Sequence, residues 1–344
     1  MPQATESTAL APAQGGDLIA RQHSWTNLTE IGLLQRARKA SKDLDTEALW
    51  SLLEWHLTTT GGNGSRVSPN TLRNYRRALV DLVHWCRENN RVPHELRAAD
   101  AGTWRTWLET KGGSVPAAPY SQPLGPSSVR VRVAAARALM RALIATRARR
   151  DDGCPFAGMK IKDPTAPGDK REEYSESEYA RLVACARNPR DKALLRLGGE
   201  AGLRASELAT ITWGEADLPG RKLKVRGKGG KLAPVTLSTA CRDALQALWI
   251  ANGKPSRKVP IFGITRGRVH AIVVAACKRA RIPSRGVHAL RHRIGTELYR
   301  QTGDIYLVAQ HLRHSNISTA TIYAKRASRG RLEEALDKLG TSGA

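Results

Sequence analysis

The stretch LRHSNISTATIY, residues 312–323, sets His314 and Tyr323 nine positions apart, and the expected fold follows from what else shares their chemistry. Three earlier segments do: GLRASEL (202–208), GKGGK (227–231) and HALRH (288–292). Together the four supply Arg204, Lys228, His288, Arg291, His314 and Tyr323. That set suits a phosphodiester. Under attack the monoanion becomes a more highly charged pentacoordinate species, and two guanidinium forks can hold its non-bridging oxygens as the charge grows. A tyrosine hydroxyl titrates near ~10, so a base or hydrogen-bond partner must help it lose its proton. The departing 5′-oxygen of a sugar needs a proton from a lysine or a histidine.

Around this constellation the chain is strongly basic, with 56 Lys+Arg against 31 Asp+Glu and a formal net charge of +25 in 344 residues. A charge that large repels itself in a compact body, and an anionic partner offsets it. DNA or RNA fits, because neutralised phosphates release counterions; the rival explanation is a surface loaded with arginine by a GC-rich genome. The length allows two domains, and the hydrophobic share of 41% is that of a folded protein. Cys86, Cys154, Cys185, Cys241 and Cys277 are scattered without a C-x-x-C pair, so neither a disulfide framework nor a cysteine zinc site is suggested, and a reducing cytoplasm fits. No apolar run approaches the ~20 residues needed to cross a bilayer. The opening MPQATESTALAPAQGG lacks the basic and apolar regions of a secretion signal.

Residues 1–40 read as a flexible tail, 41–160 as a helical domain, 161–173 as a Pro-, Gly- and charge-rich linker, and 174–344 as the domain carrying the constellation. Helical periodicity runs from Asp43 to Thr58 through Leu49, Leu52, Leu53 and Leu57. A second helix starts where Ser68 can cap and Pro69 suits the first turn, and carries Leu72, Tyr75, Leu79, Leu82, Val83 and Cys86. A third spans Ser127 to Arg147, after the loop GGSVPAAPYSQPLGP. Arg73, Arg76 and Arg77 on the second and Arg130 and Arg132 on the third are either solvated faces or contacts to a DNA backbone. Trp25, Trp50, Trp55, Trp85, Trp104 and Trp107 read as core. Beyond the linker, Ser175–Ala186 and Asp191–Gly199 are helical in pattern. RKLKV and LAPVTL flank the glycines of GKGGK as a hairpin, and helical patterns run from about Ala240 to the end.

The four motifs resemble those of the tyrosine recombinases, the phage integrase family, and most of all its bacterial Xer-type branch. That family carries G-L-R-x-x-E-L, a lysine in a hairpin turn, H-x-L-R-H, L-G-H, and a tyrosine nine residues after that last histidine. SPNTLRNYRRALVDLVHWC (68–86) resembles its helical DNA-clamping domain, so the likeness covers roughly residues 40–335. The resemblance implies a mainly α fold with a small β-sheet. The implied architecture is a two-domain DNA clamp: a helical, SAM-like core-binding domain plus a mixed α+β catalytic domain with a C-terminal exchange helix. It also implies roles. Arg204 and Arg291 grip the scissile phosphate, Lys228 is the general acid, His288 assists proton transfer and His314 hydrogen-bonds the phosphate. Tyr323 attacks to leave a 3′-phosphotyrosine, with Glu207 and His292 as supports. No metal, cofactor or ATP is implied. The implied partners are duplex DNA with a specific recombination site and a homo- or hetero-tetramer, with room for an activating partner protein and no membrane. The implied setting is the cytoplasmic nucleoid, in DNA integration or in chromosome and plasmid dimer resolution.

One position departs from the family: L-G-H is L-R-H here, with Arg313 where glycine marks a turn or a close backbone approach. His288 and His292 have the i, i+4 spacing that can hold zinc, but Arg291 between them repels a cation. His311 reads as structural, Lys231 rivals Lys228 at the hairpin tip, and GKGGK lacks the full phosphate-loop pattern. The segment RASRGRLEEALDKLG after Tyr323 is helix-prone and, by the resemblance, docks into a neighbouring subunit. Two alternatives stay open: a non-catalytic DNA-binding protein of this fold, and a type IB-like topoisomerase that relaxes DNA without a specific site.

Overall fold

A computed structural model describes residues 23–60, 67–113, 122–150, 153–164, 172–227, 232–314 and 316–328. The chain divides into two compact units, Met1–Pro164 and Thr165–Ala344.

The first unit is helical. Its elements are α1 (Glu30–Lys42), α2 (Thr46–Thr59), α3 (Pro69–Glu88), α4 (Ala98–Lys111) and α5 (Pro126–Ala145). Each start has a local cause. Thr29, Asp45 and Ser68 accept hydrogen bonds from the backbone N–H groups of Gly32, of Glu47 and Ala48, and of Thr71, which satisfies donors with no partner inside the helix. α5 lies at the centre and packs against α2, α3 and α4. Its alanines at 135, 136, 138 and 142 are buried, which lets neighbouring helices approach closely. Trp25, Trp50, Trp85 and Trp104 are core, and Trp55 and Trp107 pack half-buried against it.

Two expectations need correction here. The tail does not extend to residue 40: Trp25 is fully buried, its ring against Trp55, and α1 occupies Glu30–Lys42. The helix buries Ala37, Ala40 and Ser41, residues too small to register as an apolar stripe. Nor is Arg132 available to DNA. It is buried and its Nε donates to Asp81 on α3 at 2.9 Å, a fully buried carboxylate. The chain needs that pairing because an uncompensated buried charge is costly. Arg76 reaches Glu47 on α2, and Arg130 reaches the Ile161 carbonyl and Asp163. Arg73 and Arg77 are exposed.

The second unit holds α6 (Glu176–Ala184), α7 (Pro189–Gly199), α8 (Ala205–Thr210), a sheet of β1 (Ala216–Asp217), β2 (Lys222–Arg226) and β3 (Leu232–Thr236), then α9 (Thr239–Ala251), α10 (Arg266–Ala280), α11 (Val287–Thr302) and α12 (Ile305–Leu312). Residues 321–328 are helical. α7 is the hub, touching α6, α8, α9, α10 and α11. The antiparallel sheet runs β1-β2-β3, with Leu223, Val225 and Val235 turned into the core. The pairing Arg226↔Leu232 closes the hairpin on GKGGK, whose Lys228 and Lys231 lie outside the described residues. The expected exchange helix falls largely on 329–344, also outside them. The linker ends earlier than residue 173, because Glu172 pairs with Arg285 at 3.0 Å and Glu173 is bonded to residues of the second unit.

Candidate active site

The loop 201–204 enters the site before α8. Gly202 has φ +62, and a Cβ there would stand 2.6 Å from the Leu312 side chain, so both conformation and space call for glycine. Arg204 caps α8. Its backbone N–H donates to Glu207 Oε2 at 2.8 Å and its Nη1 to Oε1 at 2.7 Å, while the arginine side chain stays 39% exposed. Burial pushes the Glu207 carboxyl up, but Arg313 and both groups of Arg204 outweigh it and hold it below the usual carboxylate range.

Arg291, one turn into α11, is 1% exposed and donates to the carbonyls of Gly202 and Leu312. It therefore ties the 201–204 loop to the end of α12. Burial, and then the charges of Arg204 and Arg313, push its pKa down to about 9, so it stays charged at neutral pH. α12 ends at Arg313, and the His314 N–H closes the turn on the Ala309 carbonyl at 2.9 Å.

Tyr323 is 1% exposed within a small cluster with Val308, Ala309, Leu312 and Ala320. Its ring stacks on His314 (centroids 6.0 Å, 22°) and lies 5.7 Å from His292, which meets His288 edge-on at 4.6 Å. Burial raises the Tyr323 hydroxyl above its ordinary pKa despite the opposing pull of Arg291 and Arg326. Burial and then Arg291, Arg204 and Arg313 lower His314 to about 4, so its ring is neutral at neutral pH; among the described residues its buried Nδ1 has no hydrogen-bond partner.

The structure thus brings together Arg204, Glu207, Arg291, His292, His314 and Tyr323, with exposed His288 behind His292. His311 sits outside this set, its Nε2 on the Glu200 carbonyl at 2.8 Å. Two contributors, and one contact of Arg313, went unread in the sequence. Gly295 leaves the space the Tyr323 ring fills; its signal is a glycine inside a helix. Glu173 accepts from Thr296 Oγ1 at 2.6 Å and from Arg326 Nη1 at 3.1 Å, bracing the helix that bears Tyr323, and no local signal marks it. Arg313 donates to Glu207 at 2.9 Å, a contact between residues 106 apart.

The profile of the phage integrase family matches residues 173–329. The tyrosine recombinase XerD of Bradyrhizobium diazoefficiens is 31% identical over 289 residues, spanning 74% of this chain and 86% of its own. The tyrosine recombinase XerC of Xanthomonas campestris pv. campestris is 28% identical over 272 residues, spanning 75% and 79%. A solved XerH site-specific recombinase, bound to palindromic difH substrate in a post-cleavage complex, shares the fold at a TM-score of 0.65 and 16% identity over 93% of each chain. This chain belongs to the phage integrase family and is a Xer-like, tyrosine-type site-specific DNA recombinase. Among the described residues no helix is long and apolar enough to cross a membrane.

Proposed function

We propose that the chain binds duplex DNA at a specific site and cuts one strand with Tyr323. Arg204 and Arg291 hold the scissile phosphate. The Tyr323 Oη–P bond forms, the P–O5′ bond breaks, and Lys228 gives the departing 5′-oxygen its proton. The tyrosine proton leaves with help from His288 through the neighbouring His292. His314, neutral at neutral pH, hydrogen-bonds the phosphate without adding charge. The product is a 3′-phosphotyrosine and a free 5′-hydroxyl. Attack by the 5′-hydroxyl of the exchanged strand reverses the chemistry, and the phosphotyrosine bond conserves the energy for it. Strand exchange takes place in a tetramer on two DNA sites, one strand pair at a time through a four-way junction, in the cytoplasm on the nucleoid. A C-terminal helix docked on the neighbouring subunit couples the active sites.

The observation that supports this reading best is the convergence on the Tyr323 ring of two histidines from separate segments, beside Arg291 and Arg313, which both donate to the Gly202 carbonyl. A tyrosine serving only as core filling needs no such neighbours. The test is covalent capture: the chain is expressed in its own host, denatured rapidly, and the DNA that stays attached is sequenced, with Tyr323→Phe alongside. Adducts that converge on one sequence and vanish in the variant are expected. Adducts scattered over the genome would turn the reading to a topoisomerase, and strong DNA binding without adducts would leave a binding protein.

A further inference from the structure

The contact between Arg313 and Glu207 is unused by the chemistry above. Arg313 sits in the left-handed region, φ 56 and ψ 46, which an ordinary side chain adopts only at a cost. Its guanidinium is anchored in return. Nη2 donates to Glu207 Oε2 at 2.9 Å and to the Gly202 carbonyl at 3.3 Å, and Nη1 donates to the His311 carbonyl at 3.2 Å. The two side chains are only 6% and 4% exposed. The same carboxylate accepts from the Nη1 and the backbone N–H of Arg204. One buried negative charge therefore serves two guanidiniums, and Arg291 adds a third within the same network through its bond to the Gly202 carbonyl.

A carboxylate has a fixed charge to distribute. Were Glu207 to face Arg204 alone, the pair would be neutral, and a phosphate approaching Arg204 would meet the carboxylate's repulsion in full. With Arg313 on Oε2, Arg204 keeps its bond to Oε1 as a hinge while the three arginines and one glutamate retain an excess of two positive charges. We propose that Arg313 is a positioning residue for the recombination chemistry: by dividing the Glu207 carboxylate with Arg204, it holds the 201–204 loop in place and leaves the charge of Arg204 to the scissile phosphate. This rests on the reading of Tyr323 as nucleophile. A plain structural brace would make the same bonds, but it would not make the effect of Glu207 depend in sign on whether Arg313 is present.

That sign is the test. Four proteins form a cycle: the parent chain, Arg313→Gly, Glu207→Gln and the double variant. Each is given a nicked synthetic duplex bearing the sequence recovered by covalent capture, and the single-turnover rate of adduct formation is read, with DNA affinity and thermal melting measured in parallel. Arg313→Gly should slow adduct formation by about tenfold or more while changing DNA affinity by no more than about twofold. Glu207→Gln should slow the parent chain yet speed the Arg313→Gly background, because it then releases Arg204. Arg313→Lys, which keeps the charge, should recover part of the lost rate. In melting, Glu207→Gln should lower the transition of the parent and spare that of the Arg313→Gly background. An Arg313→Gly protein that cuts at the parent rate would overturn the proposal, as would a Glu207→Gln loss of equal size in both backgrounds. An adduct that survives Tyr323→Phe would instead overturn the nucleophile reading, and this proposal with it.

Discussion

A Cβ built on Gly295 would stand 2.6 Å from Cε1 of the Tyr323 ring, closer than two carbons can approach. Glycine inside a helix costs about 0.5–1 kcal/mol against alanine, and here that cost makes the recess in which the phenol lies. Gly295→Ala should gain this propensity and lose about 1–3 kcal/mol to overpacking. Adduct formation should fall far more than stability, as single-turnover cleavage beside urea denaturation would show. Equal rates would mean that the ring has other room. His314 gives a pH prediction. Its folded-state pKa, about 4, lies below its ordinary 6.5, so between these values the unfolded chain binds the extra proton. Stability therefore rises with pH through that window and is lost as acid is added. His311, held low by burial, acts in the same direction. Melting at pH 5 and pH 7 should differ less in His314→Gln than in the parent chain, and an unchanged difference would mean that the ring is not buried neutral. At this scale the motifs named polar groups that the structure gathers near Tyr323, with Lys228 outside the described residues, because each motif is confined to a short window. The Glu207–Arg313 bond was illegible, since nothing local joins residues in segments so far apart.

Among elements, legibility followed the caps only in part, since α1 is capped by Thr29 yet fell in the expected tail, and α5 starts at Gly125 without a side-chain cap yet was expected. Ser68 followed by Pro69 announced α3, and paired glycines between β-rich runs announced the hairpin of β2 and β3. α4 went unread: Arg97 begins it without a side-chain cap, and its buried face is only Ala101, Trp104 and Leu108. Arg132 was misread because its fate is decided by Asp81 on another helix. Arg132→Met should destabilise the protein by about 3–5 kcal/mol, since it strips a buried carboxylate of its guanidinium. Denaturant unfolding measures this, and a loss below about 1 kcal/mol would contradict the burial. Arg73 and Arg77 are the better DNA candidates on α3. Replacing either by alanine should flatten the plot of log affinity against log salt by about 0.9 if it neutralises one phosphate. An unchanged slope would take that side chain off the DNA.

For the whole molecule, the excess of +25 and the change in composition near residue 165 were both plain in the sequence, and the division at Pro164 and Thr165 falls within that change. Where the connection ends could not be read, because KREE looks the same whether its acids face solvent or partners. Glu172 and Glu173 have partners: Arg285 for the first, Thr296 and Arg326 for the second. The match to the family profile also starts at 173. Glu173 thus belongs by sequence to the end of a connector and by bonding to the helix that bears Tyr323. Anyone grafting the first unit of a relative onto this second unit must set the seam ahead of Glu172. A graft that begins at Tyr174 would hand the hold on Arg326 to a foreign residue, and the chimera would inherit the proposed catalytic side chains but not the brace on the helix that bears Tyr323.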